Sequence, residues 1–250
     1  MRVRGFVATG FALALAPAAA AAQEESSEAG SPFSYEAEAT FNSDYRYRGV
    51  SLTGRQPGVQ ANVTASHASG LYGDAAVSTM AESDGGARSE LGFSLGYAIE
   101  RFGLSFDGYG TWYAYPGDSA LNFVEAGVEI SRSEDPVKPR FRPSVTLSYA
   151  PAGQDALENE DNFYASARVE YGISGGFSIG AQAGYEDGAF DLRDSGGKWD
   201  WEAGLSYEAG ALTLGLAYID SNAQVPDPRG RSLADATLVA SVTIALESAQ

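Results

Sequence analysis

From Ser34 to Leu246 the chain runs in twelve stretches where apolar and polar side chains alternate one by one. Strict alternation gives a strand one greasy face and one wet face, because successive side chains point to opposite sides. In 34–44, Tyr35, Ala37, Ala39 and Phe41 oppose Glu36, Glu38, Thr40 and Asn42. Further segments cover 58–67, 71–81, 88–100, 102–115, 121–131, 140–150, 162–173, 177–186, 198–208, 211–220 and 236–246. In 162–173, Phe163, Ala165, Ala167, Val169 and Tyr171 oppose Tyr164, Ser166, Arg168 and Glu170. The faces of 71–81 and 102–115 are ambiguous. Each segment is about 10 residues long, the span of a tilted membrane strand. Connections after even-numbered segments are short (Ala68-Ser69-Gly70, Arg101, Ser174-Gly175-Gly176, Ala209-Gly210), and the others are generally longer and polar or glycine-rich. The connection after the sixth segment, Arg132 to Pro139, breaks this rule.

This asymmetry is that of an outer-membrane barrel, with tight periplasmic turns and longer outer loops. The expected fold is therefore all-β: a closed, antiparallel, up-and-down transmembrane β-barrel of about 12 strands. An even count leaves both ends of the barrel on one side. Closure removes strand edges, which hydrocarbon does not tolerate. A secreted β-sandwich or lipocalin-like barrel would also alternate, but its loop lengths need not alternate with its strands.

The rest of the composition agrees. A formal charge of −17 and a pI near 4.3 repel phosphate, so nucleic acid is no partner. With no cysteine there is no disulfide framework and no thiolate zinc site. Residues 1–22 read as a signal peptide: Arg2 and Arg4, an apolar run from Phe6 to Leu15, then Ala20-Ala21-Ala22. Residues 23–33 form a polar, disordered periplasmic lead-in, 34–246 the barrel, and 247–250 a C-terminal tail. The expected location is the Gram-negative outer membrane.

The decapeptide Asn42-Ser43-Asp44-Tyr45-Arg46-Tyr47-Arg48-Gly49-Val50-Ser51 resembles the opening motif of the TorF family of porins, the Gcw_chp domain. Tyr115-Pro116-Gly117 resembles that family's YPG strand end, and 212–220 its penultimate strand. The resemblance implies an outer-membrane barrel. It also implies an aromatic last residue for the assembly machinery to read. Here the chain ends Leu246-Glu247-Ser248-Ala249-Gln250, with Leu246 as the substitute.

If the parity of the first strand continues, Asp44, Arg46 and Arg48 point into the lumen, Tyr45 and Tyr47 point outward, and Gly49 permits a turn. Two roles stand open for the charged trio. It forms a constriction, or it is structural, with Arg46 or Arg48 bridging to lumen carboxylates such as Glu90. The wider wet face supplies Glu90, Asp107, Glu125, Glu129, Arg142, Arg168 and Glu170 as lumen or constriction residues. Carboxylates outnumber cations there, which concentrates cations in a pore. Equally, the charges pair and merely fill a narrow lumen.

The leading function is passive diffusion of small hydrophilic solutes or ions, weakly cation-preferring. The alternative is a non-conducting structural barrel whose outer loops bind a partner or surface lipid. No enzyme is expected and no cofactor is implied. His67-Ala68-Ser69 superficially resembles the His-x-Ser pair of outer-membrane phospholipases, but it sits at a turn on the periplasmic side with no third residue to orient it. One histidine excludes a histidine-rich metal site. Glu24/Glu25 and Glu158/Glu160 are solvated loop pairs, with weak Ca²⁺ binding the other reading. Expected partners are outer-membrane lipid, the barrel-assembly machinery and the solutes themselves. The chain is taken as a monomer.

Overall fold

The structure, a computed structural model, describes residues 31–133, 140–157, 159–193, 196–226 and 230–247. The signal peptide, most of the lead-in, Glu24, Glu25, Glu158 and residues 248–250 lie outside the described residues. Among those described, the strands are β1 Phe33–Asn42, β2 Arg46–Tyr47, β3 Val50–Ser51, β4 Gly58–His67, β5 Leu71–Thr79, β6 Ser89–Arg101, β7 Leu104–Ala114, β8 Phe123–Arg132, β9 Phe141–Ala150, β10 Asn162–Ser174, β11 Phe177–Gly188, β12 Lys198–Ala209, β13 Leu212–Ser221 and β14 Thr237–Glu247. Twelve of them close an antiparallel barrel in which each strand pairs with its neighbours in sequence, β1 sealing against β14. β2 and β3 form a separate two-stranded hairpin.

The twelve alternating segments are the twelve barrel strands, with one correction at the first. β1 stops at Asn42, and the chain leaves the wall there instead of carrying its parity on to Asp44. The two ambiguous segments are now resolved. In β5, Leu71, Ala75 and Val77 face out and Tyr72, Asp74 and Ser78 face in. In β7, Leu104 and Trp112 face out while Asp107, Tyr109, Thr111 and Tyr113 face in.

One rim carries the tight turns at 68–70, 102–103, 175–176 and 210–211, together with the start of β1 and the end of β14. The irregular connection after β8 also lies on this rim, and most of it, 134–139, is outside the described residues. The opposite rim carries the long connections, of which 43–57 and 222–236 are the longest.

The outer wall shows why such a sequence needs hydrocarbon around it. Leu95, Val63, Val128, Leu147, Leu214 and Leu216 stand out around its middle, Leu95 with 76% of its surface uncovered. Aromatic side chains ring both ends: Phe33, Tyr35, Tyr97, Phe141, Tyr171, Phe177 and Tyr207 at the short-turn rim, and Phe41, Trp112, Tyr149, Phe163, Trp199 and Tyr218 at the other. Amphipathic rings at both ends of an aliphatic band are the pattern of interfacial girdles. Leu246 takes an outward place on β14 opposite Ala37.

Candidate functional site

The connection 43–57 turns into the barrel mouth and packs against its wall. Tyr47-Arg48-Gly49-Val50 forms the tip, with φ of 44° at Arg48 and 84° at Gly49. Positive φ at both central residues is what a two-residue type I′ hairpin turn requires. Gly49 is forced twice over, because a Cβ on it would lie 2.5 Å from Cβ of Ser221. Arg48 is the uncommon case, a bulky residue in the left-handed region.

What holds Arg48 there is the wall around it. Its guanidinium donates to Glu186 Oε1 at 2.5 Å and to both oxygens of Glu125 at 3.0 and 3.1 Å. It lies over the ring of Tyr164, 3.9 Å from the centroid, and 4.4 Å from that of Tyr47. Lys198 pairs with the same Glu186 from the next strand. Burial opposes the charge on Arg48, but Glu125, Tyr47 and Glu186 outweigh it and its pKa is raised, so it stays a cation.

The base of the hairpin is tied as tightly. Asp44 accepts from Arg46 Nε at 2.7 Å and from the hydroxyls of Ser51 and Thr53 at 2.6 and 3.3 Å. Arg46 also donates to the carbonyls of Gly49 and Asp235. The Ser51 amide donates to Leu233 O, and the Ala81 amide to Leu52 O. Tyr45, expected outside, is inside: it is 1% exposed and packs with Leu52. Burial pushes its phenol well up, and Glu90 nearby pushes it further. Tyr47 is likewise held against Arg48 within the mouth. Val50 packs against Ala223, Val225 and Ala234 of the outer connection 222–236.

The expected site residues therefore fall into three groups. Asp44, Arg46, Arg48, Gly49 and Glu125 meet at the hairpin. Glu90 is close by and accepts the Tyr115 hydroxyl at 2.5 Å, while the carboxylates that Arg48 bridges are Glu125 and Glu186. The others line the wall nearer the short-turn rim. Asp107 and Glu129 are direct neighbours across β7 and β8. Arg142 and Glu170 pair across β9 and β10. Arg168 reaches Gln182 at 3.4 Å.

Glu186, Lys198 and Tyr164 complete the site. Their wet-face parity was visible, but their meeting with Arg48 depends on the curvature of the closed barrel, which brings β8, β10, β11 and β12 around one point. His67 lies at the short-turn rim, its ring tilted at 60° against that of Phe33 with 4.8 Å between centroids, and with Nδ1 2.8 Å from Ser69 Oγ within the same turn.

The model of a family described as "Bacterial protein of unknown function (Gcw_chp)" matches residues 26–246, and it does not carry the name TorF. No curated protein matches the sequence. Among solved structures, the chain is similar to the KdgM porin, with a TM-score of 0.55 and 9% identity over 87% of this chain and 99% of that one. It is similar to the KdgM porin in complex with disordered oligogalacturonate (TM-score 0.53, 8% identity, 87% and 99% covered). The NanC porin gives a TM-score of 0.53 at 12% identity, covering 86% of this chain and 99% of that one. At such identities the likeness is one of fold.

Proposed function

We propose that this chain, which belongs to the Gcw_chp family of bacterial proteins, is a monomeric outer-membrane porin that passes small hydrophilic solutes and ions and mildly prefers cations. The observation that carries the reading is the imbalance of charge below the hairpin. There Glu38, Asp74, Asp107, Glu129, Glu170 and Glu202 stand half-buried on the inner wall, against Arg142 and Arg168. A low-dielectric tube lined mainly by one sign of charge raises the local concentration of counter-ions. The apolar outer wall and its aromatic rims support a place in the outer membrane. Twelve strands enclose a lumen between side-chain-filled small barrels and wide water-filled porins, and the hairpin narrows it further. On this reading the chain has no catalytic activity, and Asp44, Arg46 and Arg48 serve the constriction by fixing the hairpin.

Glu125 is spoken for by Arg48, so Asp107 and Glu129 are the carboxylates that set selectivity. Asp107→Asn with Glu129→Gln is expected to move the reversal potential in a KCl gradient clearly toward zero. An unchanged potential would count against these two facing the permeation path.

A second reading has its own observation. Val50, Phe123, Glu186 and Lys198 are each no more than 2% exposed, so the mouth is packed like a protein core. A barrel closed this way is a structural element whose outer loops bind a partner. Current through the unmodified chain separates the two.

A further inference from the structure

One row of cross-strand partners on the inner wall reads Ser66–Tyr72–Gly96–Tyr109–Gly127–Ser148–Tyr164–Glu186–Lys198. It climbs from the short-turn rim, where β5 begins, to the mouth, where β12 begins. The tyrosines are separated by small residues, and the first two lie flat across the glycine beside them. A Cβ on Gly96 would fall 2.3 Å from the Tyr72 ring, and one on Gly127 2.4 Å from that of Tyr109. The rings therefore present faces to the lumen. The next row toward the short-turn rim supplies carboxylates, Asp107 beside Glu129. Asp107 accepts the Tyr72 hydroxyl at 3.0 Å on both oxygens, and Glu129 accepts from Thr146.

The top of the row shows what such a surface holds. There a tyrosine face and two carboxylates, Tyr164 with Glu125 and Glu186, enclose the guanidinium of Arg48. Lower down, Tyr72 with Asp107 and Tyr109 with Glu129 repeat the combination of ring and carboxylate, half-buried, with no ion pair to either carboxylate among the described residues. We infer that Tyr72, Tyr109, Asp107 and Glu129 form a lumen site for small organic cations of the guanidinium or alkylammonium class. Arg48 occupies the equivalent place at the mouth as part of the chain. Aromatic faces favour weakly hydrated organic cations, whereas bare carboxylates favour small hard ones. The inference rests on the porin reading only in taking the lower lumen as reachable from the short-turn rim.

The test is calorimetric titration of the whole refolded chain in detergent with agmatine, which carries a guanidinium and an ammonium group. We expect saturable binding that an equal concentration of Mg²⁺ does not displace. Tyr72→Leu with Tyr109→Leu should weaken it by at least about fivefold, on the usual scale of a cation–ring contact. Tyr72→Phe with Tyr109→Phe keeps the rings and should keep binding, as should Tyr171→Leu on the outer wall. Displacement by Mg²⁺, or full affinity in the leucine variant, would overturn the site and leave only a diffuse acidic lumen. Should the leucine variant not fold, the Mg²⁺ competition on the unmodified barrel still decides. Bilayer recording of the same preparation keeps the two readings apart. Saturable agmatine binding by a barrel that passes no current removes the porin and leaves the site, while K⁺ current without agmatine binding does the reverse.

Discussion

Arg48→Ala is expected to cost about 3–5 kcal/mol of unfolding free energy, the range for removing one partner of a buried ion pair. The reason lies in what stays behind. Glu186 keeps Lys198, but Glu125 loses the guanidinium that spans both its oxygens. Both carboxylates are buried, at 1% and 3% exposed, so water does not readily replace the lost donor. The tip also loses the contacts that hold a non-glycine residue at positive φ. Arg48→Lys restores charge without the fork that reaches two carboxylates at once, and is expected to recover only part of the loss. Urea-dependent unfolding of the refolded barrel measures both variants. A change under 0.5 kcal/mol for Arg48→Ala would mean that the two carboxylates find water, and that the hairpin is not anchored through this residue.

The second large effect is on conductance. Asn42 and Gly58, the ends of the connection that carries the hairpin, are direct partners across β1 and β4. A short glycine-serine turn can therefore replace residues 44–56 without moving the wall. Without the hairpin, Arg48, Tyr45 and Tyr47 leave the mouth, and Glu125, Glu186 and Asp200 face water. Single-channel conductance is expected to rise several-fold and cation selectivity to increase, since Glu125 is freed, Glu186 is left with Lys198 alone and the buried cation Arg48 is lost. Equal conductance with and without the hairpin would show that the narrowest point lies elsewhere in the lumen.

The alternation along the strands was enough to read the barrel, because a tube with lipid outside and polar groups inside imposes period 2 on every strand. It failed where the chain stopped being a strand. Asp44, Arg46 and Arg48 keep the parity of Glu36 and Glu38, so nothing in the pattern marks Asn42 as the end of β1. The one local signal was Gly49, which named the turn but not the direction in which the hairpin folds. Tyr45 and Tyr47 read as outward-facing for the same reason, although a hairpin inside a barrel buries both of its faces. The partners of Arg48 were beyond reach, because Glu125 and Glu186 lie 77 and 138 residues away in sequence. They meet only once β1 closes on β14. The tyrosine row was hidden similarly: its members are visible one by one, but the row exists only in the register between strands.

The most direct test of the account is planar-bilayer recording of the refolded chain under a KCl gradient, with heat-modifiable electrophoretic mobility used to establish that the barrel is folded. Discrete current steps with a reversal potential of cation sign are expected. A folded barrel that leaves the bilayer silent, or one whose reversal potential has the anion sign, would contradict it.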